Sequence, residues 1–280
     1  EKTDRVTVCA ALPAHLRKLH LLLAEDGRVN QVVAISLLEE RGHSVEVAVN
    51  GREAVNAYGK GTFDAILMDI QMPEMNGFEA TSAIREKEKA SGRHIPIIAM
   101  TANAMKGDRE KCLQAGMDAY IAKPIRSQEL FRVIEEITGS PEAQNENTAP
   151  EGDAGAAPES GGDTAGELFF DEARFRESSV STELMQELIV IFQEDMPPML
   201  KRIESSLAAG DADTLHEVAH SLKGLVGNFY AAPVFRVVTE FDDAARSGDL
   251  KRARELFPVL QDSVGNLESR LCAFNEKLNP

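Results

Sequence analysis

The sequence predicts two units of different class: an α/β doubly wound, five-stranded parallel sheet, then an all-α helical bundle. Three observations carry this. In the first half, five short apolar runs alternate with five segments of helical periodicity. A stretch of Ala, Gly, Pro, Ser and acidic residues then interrupts the pattern, and beyond it apolar residues recur only at helical spacing. A chain of 280 residues is long enough for two such units.

In chain order, residues 1–17 form an N-terminal extension or the tail of a preceding domain, and RVTVCA within them gets no role. The first unit covers residues 18–138. LHLLLA (19–24) reads as a strand, followed by a helical pattern from Val29 to Glu40. VEVAV (45–49) precedes a helix from Arg52 to Tyr58, and AILMD (65–69) precedes one from Phe78 to Lys89. PIIAMT (96–101) leads to a helix from Lys106 to Ala115, and YIAK (120–123) to a last one from Ser127 to Ile137. Continuous apolar strands imply burial on both faces, hence parallel strands between two helical layers.

Residues 139–167 contain seven acidic side chains and no Lys or Arg. Such a composition cannot offset the entropy of ordering, so it predicts a flexible linker. Its coil span is about 30 Å. In residues 168–280, Leu184, Leu188, Ile191 and Phe192 share a helical face, as do Met199, Ile203 and Leu207. Pro197 and Pro198 are expected to kink or divide that helix. Leu215, Ala219, Leu222, Val226 and Phe229 form a further stripe, Val237, Phe241, Ala244 and Ala245 another, and Leu250 to Leu278 supplies one or two more helices.

Thirty Lys and Arg against 46 Asp and Glu give a formal charge of −16. That balance repels nucleic acid and anionic membrane surfaces, so neither is expected as a partner. Cys9, Cys112 and Cys272 are odd in number and in no CxxC spacing, as free thiols of a reducing, cytoplasmic compartment would be. No apolar run approaches the roughly 20 residues of a membrane helix. The chain starts at Glu1 rather than Met, as a processed protein or a piece of a longer one would.

Functional groups of parallel sheets gather beyond the carboxyl ends of the strands. Those ends carry Glu25 and Asp26, Asp69, Thr101 and Lys123. Three converging carboxylates call for a hard divalent cation, and Mg²⁺ suits a shell half protein and half water. Asp69 could then attack phosphorus, with Lys123 and the Thr101 hydroxyl holding phosphoryl oxygens.

LLLAEDGRVNQ, LMDIQMPEMNGFEA, IIAMTANAM and YIAKPI, in this order over residues 18–138, resemble the receiver domains of two-component signalling. The resemblance implies a flavodoxin-like sheet in the order 2-1-3-4-5 and makes Asp69 the phosphoacceptor. It implies that Asp26, Asp69 and the Gln71 backbone carbonyl bind Mg²⁺, with Glu25 acting through water. It makes Thr101 and Tyr120 a switch pair, core filling being the alternative for Tyr120. Gly27 departs from the Asn or Asp common after the acidic pair, which would alter metal affinity or phosphoryl lifetime.

LHEVAHSLKG (215–224) admits two chemistries. His216-Glu217-Val218-Ala219-His220 fits the zinc motif HExxH, and Glu240 lies 20 residues beyond His220, where some zinc proteases place a third ligand. On a helical wheel, His220 instead falls away from the apolar stripe, on an exposed face with Lys223, Gly224 and Gly227. Two helix-weakening glycines beside a histidine suggest close approach of a partner. An imidazole with an ordinary pKa near about 6.5 can be a nucleophile at neutral pH, and Lys223 can hold a phosphoryl oxygen. In this helical setting AHSLKG is similar to the histidine phosphotransfer (HPt) domains. That resemblance implies phosphoryl transfer at His220 assisted by Lys223, docking room at Gly224 and Gly227, and a partner-facing His216. Tyr230 stands where the family often has a small Gly.

Together the resemblances imply a cytoplasmic phosphorelay module like the C-terminal part of a hybrid sensor histidine kinase, for which membrane anchoring of a full-length kinase is one arrangement. Its partners would be a sensor histidine kinase and a downstream response regulator, with receiver–HPt contact within one chain or between chains. No histidine box, Asn-rich nucleotide box or glycine-rich ATP lid occurs in the sequence, so self-phosphorylation from ATP is not expected. Two other readings are a phosphorylation-switched binding module with mutually inhibiting domains and an HExxH zinc hydrolase.

Overall fold

A computed structural model of the chain describes residues 17–101, 106–139, 169–178 and 181–278. The expected N-terminal extension up to residue 16, with Cys9, and residues 140–167 of the expected linker lie outside the described residues.

The first unit runs β1 (His20–Ala24), α1 (Arg28–Glu40), β2 (Ser44–Ala48), α2 (Gly51–Lys60), β3 (Ala65–Asp69), α3 (Gly77–Ser91), β4 (Ile97–Thr101), α4 (Lys106–Gln114), β5 (Ala119–Ala122) and α5 (Ser127–Thr138). The strands are parallel in the order β2-β1-β3-β4-β5. Residues Ala65–Asp69 and Ile97–Thr101 are buried throughout, as continuous apolar runs require. β2 is the exception: Ser44, Glu46 and Val47 are exposed, because an outer strand has a neighbour on one side only. Local chemistry starts the helices. Asn50 accepts from the Glu53 N–H, and Asn76 with Glu79 closes a capping box at α3.

The second unit contains α6 (Glu172–Glu177), α7 (Thr182–Ala209), α8 (Ala212–Gly227), α9 (Ala232–Arg246) and α10 (Leu250–Leu278). Asp171, Ser181 and Asp211 cap α6, α7 and α8 through their side-chain oxygens. At its centre Phe175, Phe192, Phe229 and Phe274 are fully buried, with Phe192 and Phe229 edge to face at 5.1 Å. The expected division at Pro197 and Pro198 does not occur, and α7 is continuous through both. Both prolines are exposed, and the carbonyls they deprive of a donor belong to half-buried Gln193 and exposed Glu194. Buried Phe192, Met196 and Ile203 hold the two halves of the helix on the bundle. α10 likewise passes Pro258 as one helix.

The two units are docked. α1 packs on α7 and α8, so that buried Val29 and Val33 join one apolar cluster with the bundle. At one end of this interface the Arg28 guanidinium donates to Asp195 at 2.7 Å and to Glu194 at 3.0 Å.

Candidate phosphotransfer sites

The strand ends bring together five of the sequence-predicted groups. Glu25 and Asp26 follow β1, Asp69 and Thr101 end β3 and β4, and Lys123 follows β5. The ligand oxygens of Glu25, Asp26 and Asp69 lie within 4.8 Å of one another. Lys123 enters this acidic group with its Nζ 2.7 Å from Glu25 Oε2 and 2.7 Å from Asp69 Oδ2. Glu25 and Asp69 are 1% and 2% exposed, so these charges are not screened by water. Burial, with Asp69 adding to it, pushes the Glu25 carboxyl up to about 7 against the pull of Lys123. Burial and then Asp69 also raise Asp26. For Lys123, burial is outweighed by Asp69 and Glu25, and the ammonium is held well above its ordinary value.

The backbone around Asp69 is tightly packed. The Gln71 N–H donates to Asp69 Oδ1 at 3.2 Å, and the Gly77 N–H to the Ile70 carbonyl at 2.9 Å. A Cβ on Gly77 would lie 2.2 Å from the Asp69 carbonyl oxygen, so only glycine allows α3 to start there. Thr101 is buried, whereas Tyr120 is half-buried against the core with the Arg109 guanidinium 5.7 Å above its ring.

These residues fit a divalent cation. One ammonium faces three carboxylates, and Glu25 Oε2 is buried beside Lys123 without a hydrogen bond of acceptable angle. Oxygen donors with spare negative charge are what Mg²⁺ requires.

The second site lies on α8 and α9. His216, His220 and Lys223 converge on Asp242, an α9 residue that the sequence did not single out. Its Oδ2 accepts from Lys223 at 3.2 Å and lies 3.9 Å from His220 Nδ1, and its Oδ1 lies 3.2 Å from His216 Nδ1 at an angle that makes no hydrogen bond. Asp242 is 2% exposed. Burial would raise its pKa, but His220 and Lys223 outweigh burial and hold the carboxyl below its ordinary value. A buried Asp in TEFDDAA, whose nearest partner in sequence is Lys223, 19 residues away on another helix, gives no one-dimensional signal; only the packing of α9 on α8 identifies it.

Three expectations are corrected here. The His220 face is not open: the His220 and Lys223 side chains are 16% and 13% exposed, with Asp242 beside both. Gly224 does meet the other unit, where a Cβ would lie 3.1 Å from Asn30 Nδ2, but Gly227 faces Phe235 of its own bundle at 3.4 Å. Glu240 points away from the histidines to Arg252 at 3.5 Å. Among the described residues the one metal-competent cluster of His, Cys, Asp and Glu is Glu25, Asp26 and Asp69, which leaves the HExxH pattern without zinc geometry.

Comparison with known proteins agrees with this arrangement. Residues 21–135 match the family model of the response regulator receiver domain, and residues 187–270 that of the Hpt domain. Over 252 residues the chain is 29% identical to the sensor histidine kinase GacS of Pseudomonas protegens, covering 90% of this chain and 27% of that protein. Over 254 residues it is 29% identical to the aerobic respiration control sensor protein ArcB of Escherichia coli, covering 89% of this chain and 29% of that one. The chain thus spans less than a third of these curated relatives. A solved receiver domain of a Pseudomonas aeruginosa sensor histidine kinase, crystallised with magnesium in its active-site cleft, is 45% identical over 44% of this chain and 100% of that one, with a TM-score of 0.41. The chain belongs to the two-component phosphorelay proteins, as a response regulator receiver domain followed by an Hpt domain.

Proposed function

We propose that Asp69 accepts a phosphoryl group from a kinase histidine and passes it reversibly to His220, for delivery to a separate response regulator. The observation that carries this reading is the pair of complementary clusters: Lys123 set among carboxylates at Asp69, and Asp242 set among His216, His220 and Lys223. Asp69 would attack phosphorus as the bond from phosphorus to the kinase imidazole breaks. In the next step the imidazole of His220 forms the N–P bond and the Asp69 carboxylate leaves. With Nδ1 turned toward Asp242, Nε2 of His220 is the nitrogen left for phosphorus. Lys123 and Thr101 would hold phosphoryl oxygens on the receiver side and Lys223 on the other. Asp26, Asp69 and the Gln71 carbonyl, with Glu25 through water, would hold Mg²⁺, which supplies charge neutralisation as the carboxylate and phosphoryl group approach. Thr101 and Tyr120 would report phosphorylation by repacking.

Residues 18–138 would form the receiver and 168–280 the Hpt unit, joined by residues 139–167. Such a tether keeps the partner at an effective concentration approaching mM, consistent with the docking of α1 on α7 and α8 within one chain. The kinase would be a cytoplasmic histidine kinase domain, upstream in a longer chain or separate. No described helix is long and apolar enough to cross a membrane.

Incubation of the chain with a small phosphodonor and Mg²⁺ tests the relay. Base-labile acyl phosphate at Asp69 should appear first and base-stable phosphohistidine at His220 second. Asp69→Asn should abolish both, and His220→Gln only the second. A His220→Gln variant with every phosphoryl species unchanged would overturn the reading.

A further inference from the structure

Asn30, on α1, touches both sites. Its Nδ2 donates to Glu25 Oε1 at 2.8 Å, and its Oδ1 accepts from Asn228 Nδ2 of the Hpt domain at 2.9 Å. Asn228 caps the end of α8, and its Nδ2 also donates to the Gly224 carbonyl at 2.8 Å. The polarity of this chain is fixed. Turning the Asn30 amide would set its oxygen against the Glu25 carboxylate and its NH₂ against the NH₂ of Asn228. Asn30 is 8% exposed, so water cannot readily replace either partner. The missing side chain of Gly224 makes room for this amide.

We propose that Asn30 is a positioning residue that couples Hpt docking to cation binding at the receiver's acidic site, with Asn228 the group it reads on the partner. Docking holds the Asn30 carbonyl, which keeps its NH₂ on Glu25 and so fixes Glu25 against the space between Asp26 and Asp69. A carboxylate, a hydroxyl or an apolar side chain at 228 cannot donate two hydrogen bonds in this way, which makes 228 a position that discriminates between Hpt partners. Coupling of this kind is reciprocal: a bound cation strengthens docking by the factor by which docking strengthens cation binding. The inference rests on the acidic site being the cation site of the relay.

Calorimetric titration of the full chain with Mg²⁺ alone tests it. Asn228→Ala is expected to weaken Mg²⁺ binding about fivefold, the worth of one buried hydrogen bond. The nearly isosteric Asn228→Asp, which sets an acceptor against two acceptors, should weaken it at least as much. In an Asn30→Ala background, Asn228→Ala should add less than about a twofold change, because the link is already cut. At saturating Mg²⁺ and with a small phosphodonor, Asn228→Ala should slow passage from Asp69 to His220 while leaving the labelling of Asp69 within about twofold. Wild-type Mg²⁺ affinity in both Asn228 variants, or equal losses with and without Asn30, would overturn the coupling. Asp26→Asn separates the two levels of the argument. If wild type binds Mg²⁺, Asp26→Asn abolishes binding and Asn228→Ala changes nothing, only the coupling fails. If Asp26→Asn leaves binding unchanged, the cation site itself is wrong and the coupling falls with it.

Discussion

The two sites are built the opposite way round. At the receiver one buried ammonium, Lys123, lies among Glu25, Asp26 and Asp69; in the Hpt domain one buried carboxylate, Asp242, lies among Lys223, His216 and His220. The first therefore retains unbalanced negative charge and is suited to a cation, whereas the second sets one ammonium and two imidazoles around its carboxylate, so that Lys223 can hold a phosphoryl oxygen beside the His220 ring. A single compensating charge in each keeps the site folded while it is empty. The difference between them is solvent. Glu25, Asp69 and Lys123 are almost wholly buried, while His216 keeps 27% of its side chain exposed beside Asp242.

Removing the central charge from each site should break this opposition unequally. Lys123→Met leaves buried carboxylates with no counter-charge, and loss of one partner of a buried pair costs about 3 kcal/mol. The expected value is at the low end of that class because Glu25, already pushed up to about 7, can take a proton. Urea unfolding followed by circular dichroism should show the receiver transition shifted by that amount and the Hpt transition unmoved. Asp242→Asn keeps the shape and removes the charge, so the loss should be smaller, about 1.5 kcal/mol for one hydrogen bond to a charged group. It should appear in the Hpt transition, with slower labelling of His220 and normal labelling of Asp69. Equal losses from the two variants would mean that burial is not what separates the sites.

Their pH dependence should also have opposite sign. The Glu25 carboxyl, ordinarily near 4.5, titrates at about 7 in the folded chain, so the native state binds more protons than the unfolded state between those values. Its contribution to stability is present below about 4.5 and lost as pH rises through about 7. Asp26 is shifted in the same direction, by burial and then by Asp69. Asp242 is shifted the other way, so its contribution is present above its ordinary 3.8 and lost as pH falls through its lowered value. In cation-free buffer the receiver's urea midpoint should fall between pH 5 and 8 while that of the Hpt domain stays level; Mg²⁺ should restore the first at pH 8. Glu25→Gln should flatten the receiver's slope. A slope retained in Glu25→Gln would assign it to another group.

Most of the architecture was legible because it is written in periodicity. AILMD matches Ala65–Asp69 residue for residue, and the helical stripe from Leu215 to Phe229 marks the buried side of α8. The acidic site was legible for a related reason: in a parallel sheet each chemical group follows its own strand, so linear order fixes spatial neighbourhood. The Hpt site was half legible. Periodicity put His220 and Lys223 on one face, but Asp242 comes from a different helix, and which residue of α9 meets α8 depends on packing. Asn30 and Asn228 were invisible for the same reason, being 198 residues apart. The two prolines of α7 misled because local propensity predicts a break, whereas packing on both sides of them maintains the helix.

The smallest effect concerns how each domain handles a difficult backbone position. Beside Asp69 a close approach is met with Gly77, where a Cβ would have to displace backbone. Just past α8 the chain takes a left-handed turn with Tyr230, at φ 51°. A left-handed residue with a large side chain costs roughly 1–2 kcal/mol. Against that, the Tyr230 ring packs 6.5 Å from the ring of Phe175, and the Tyr230 carbonyl accepts from the Asp171 N–H. The residue is 40% exposed, so its ring contact offsets only part of the backbone cost. Tyr230→Asn, which keeps the carbonyl and suits left-handed backbone, should therefore stabilise the Hpt transition slightly, by about 0.5 kcal/mol. It should leave transfer to His220 unchanged. A loss of stability instead would show that the contact with Phe175 outweighs the strain, and that Tyr230 is a packing residue that sets where α9 meets α8.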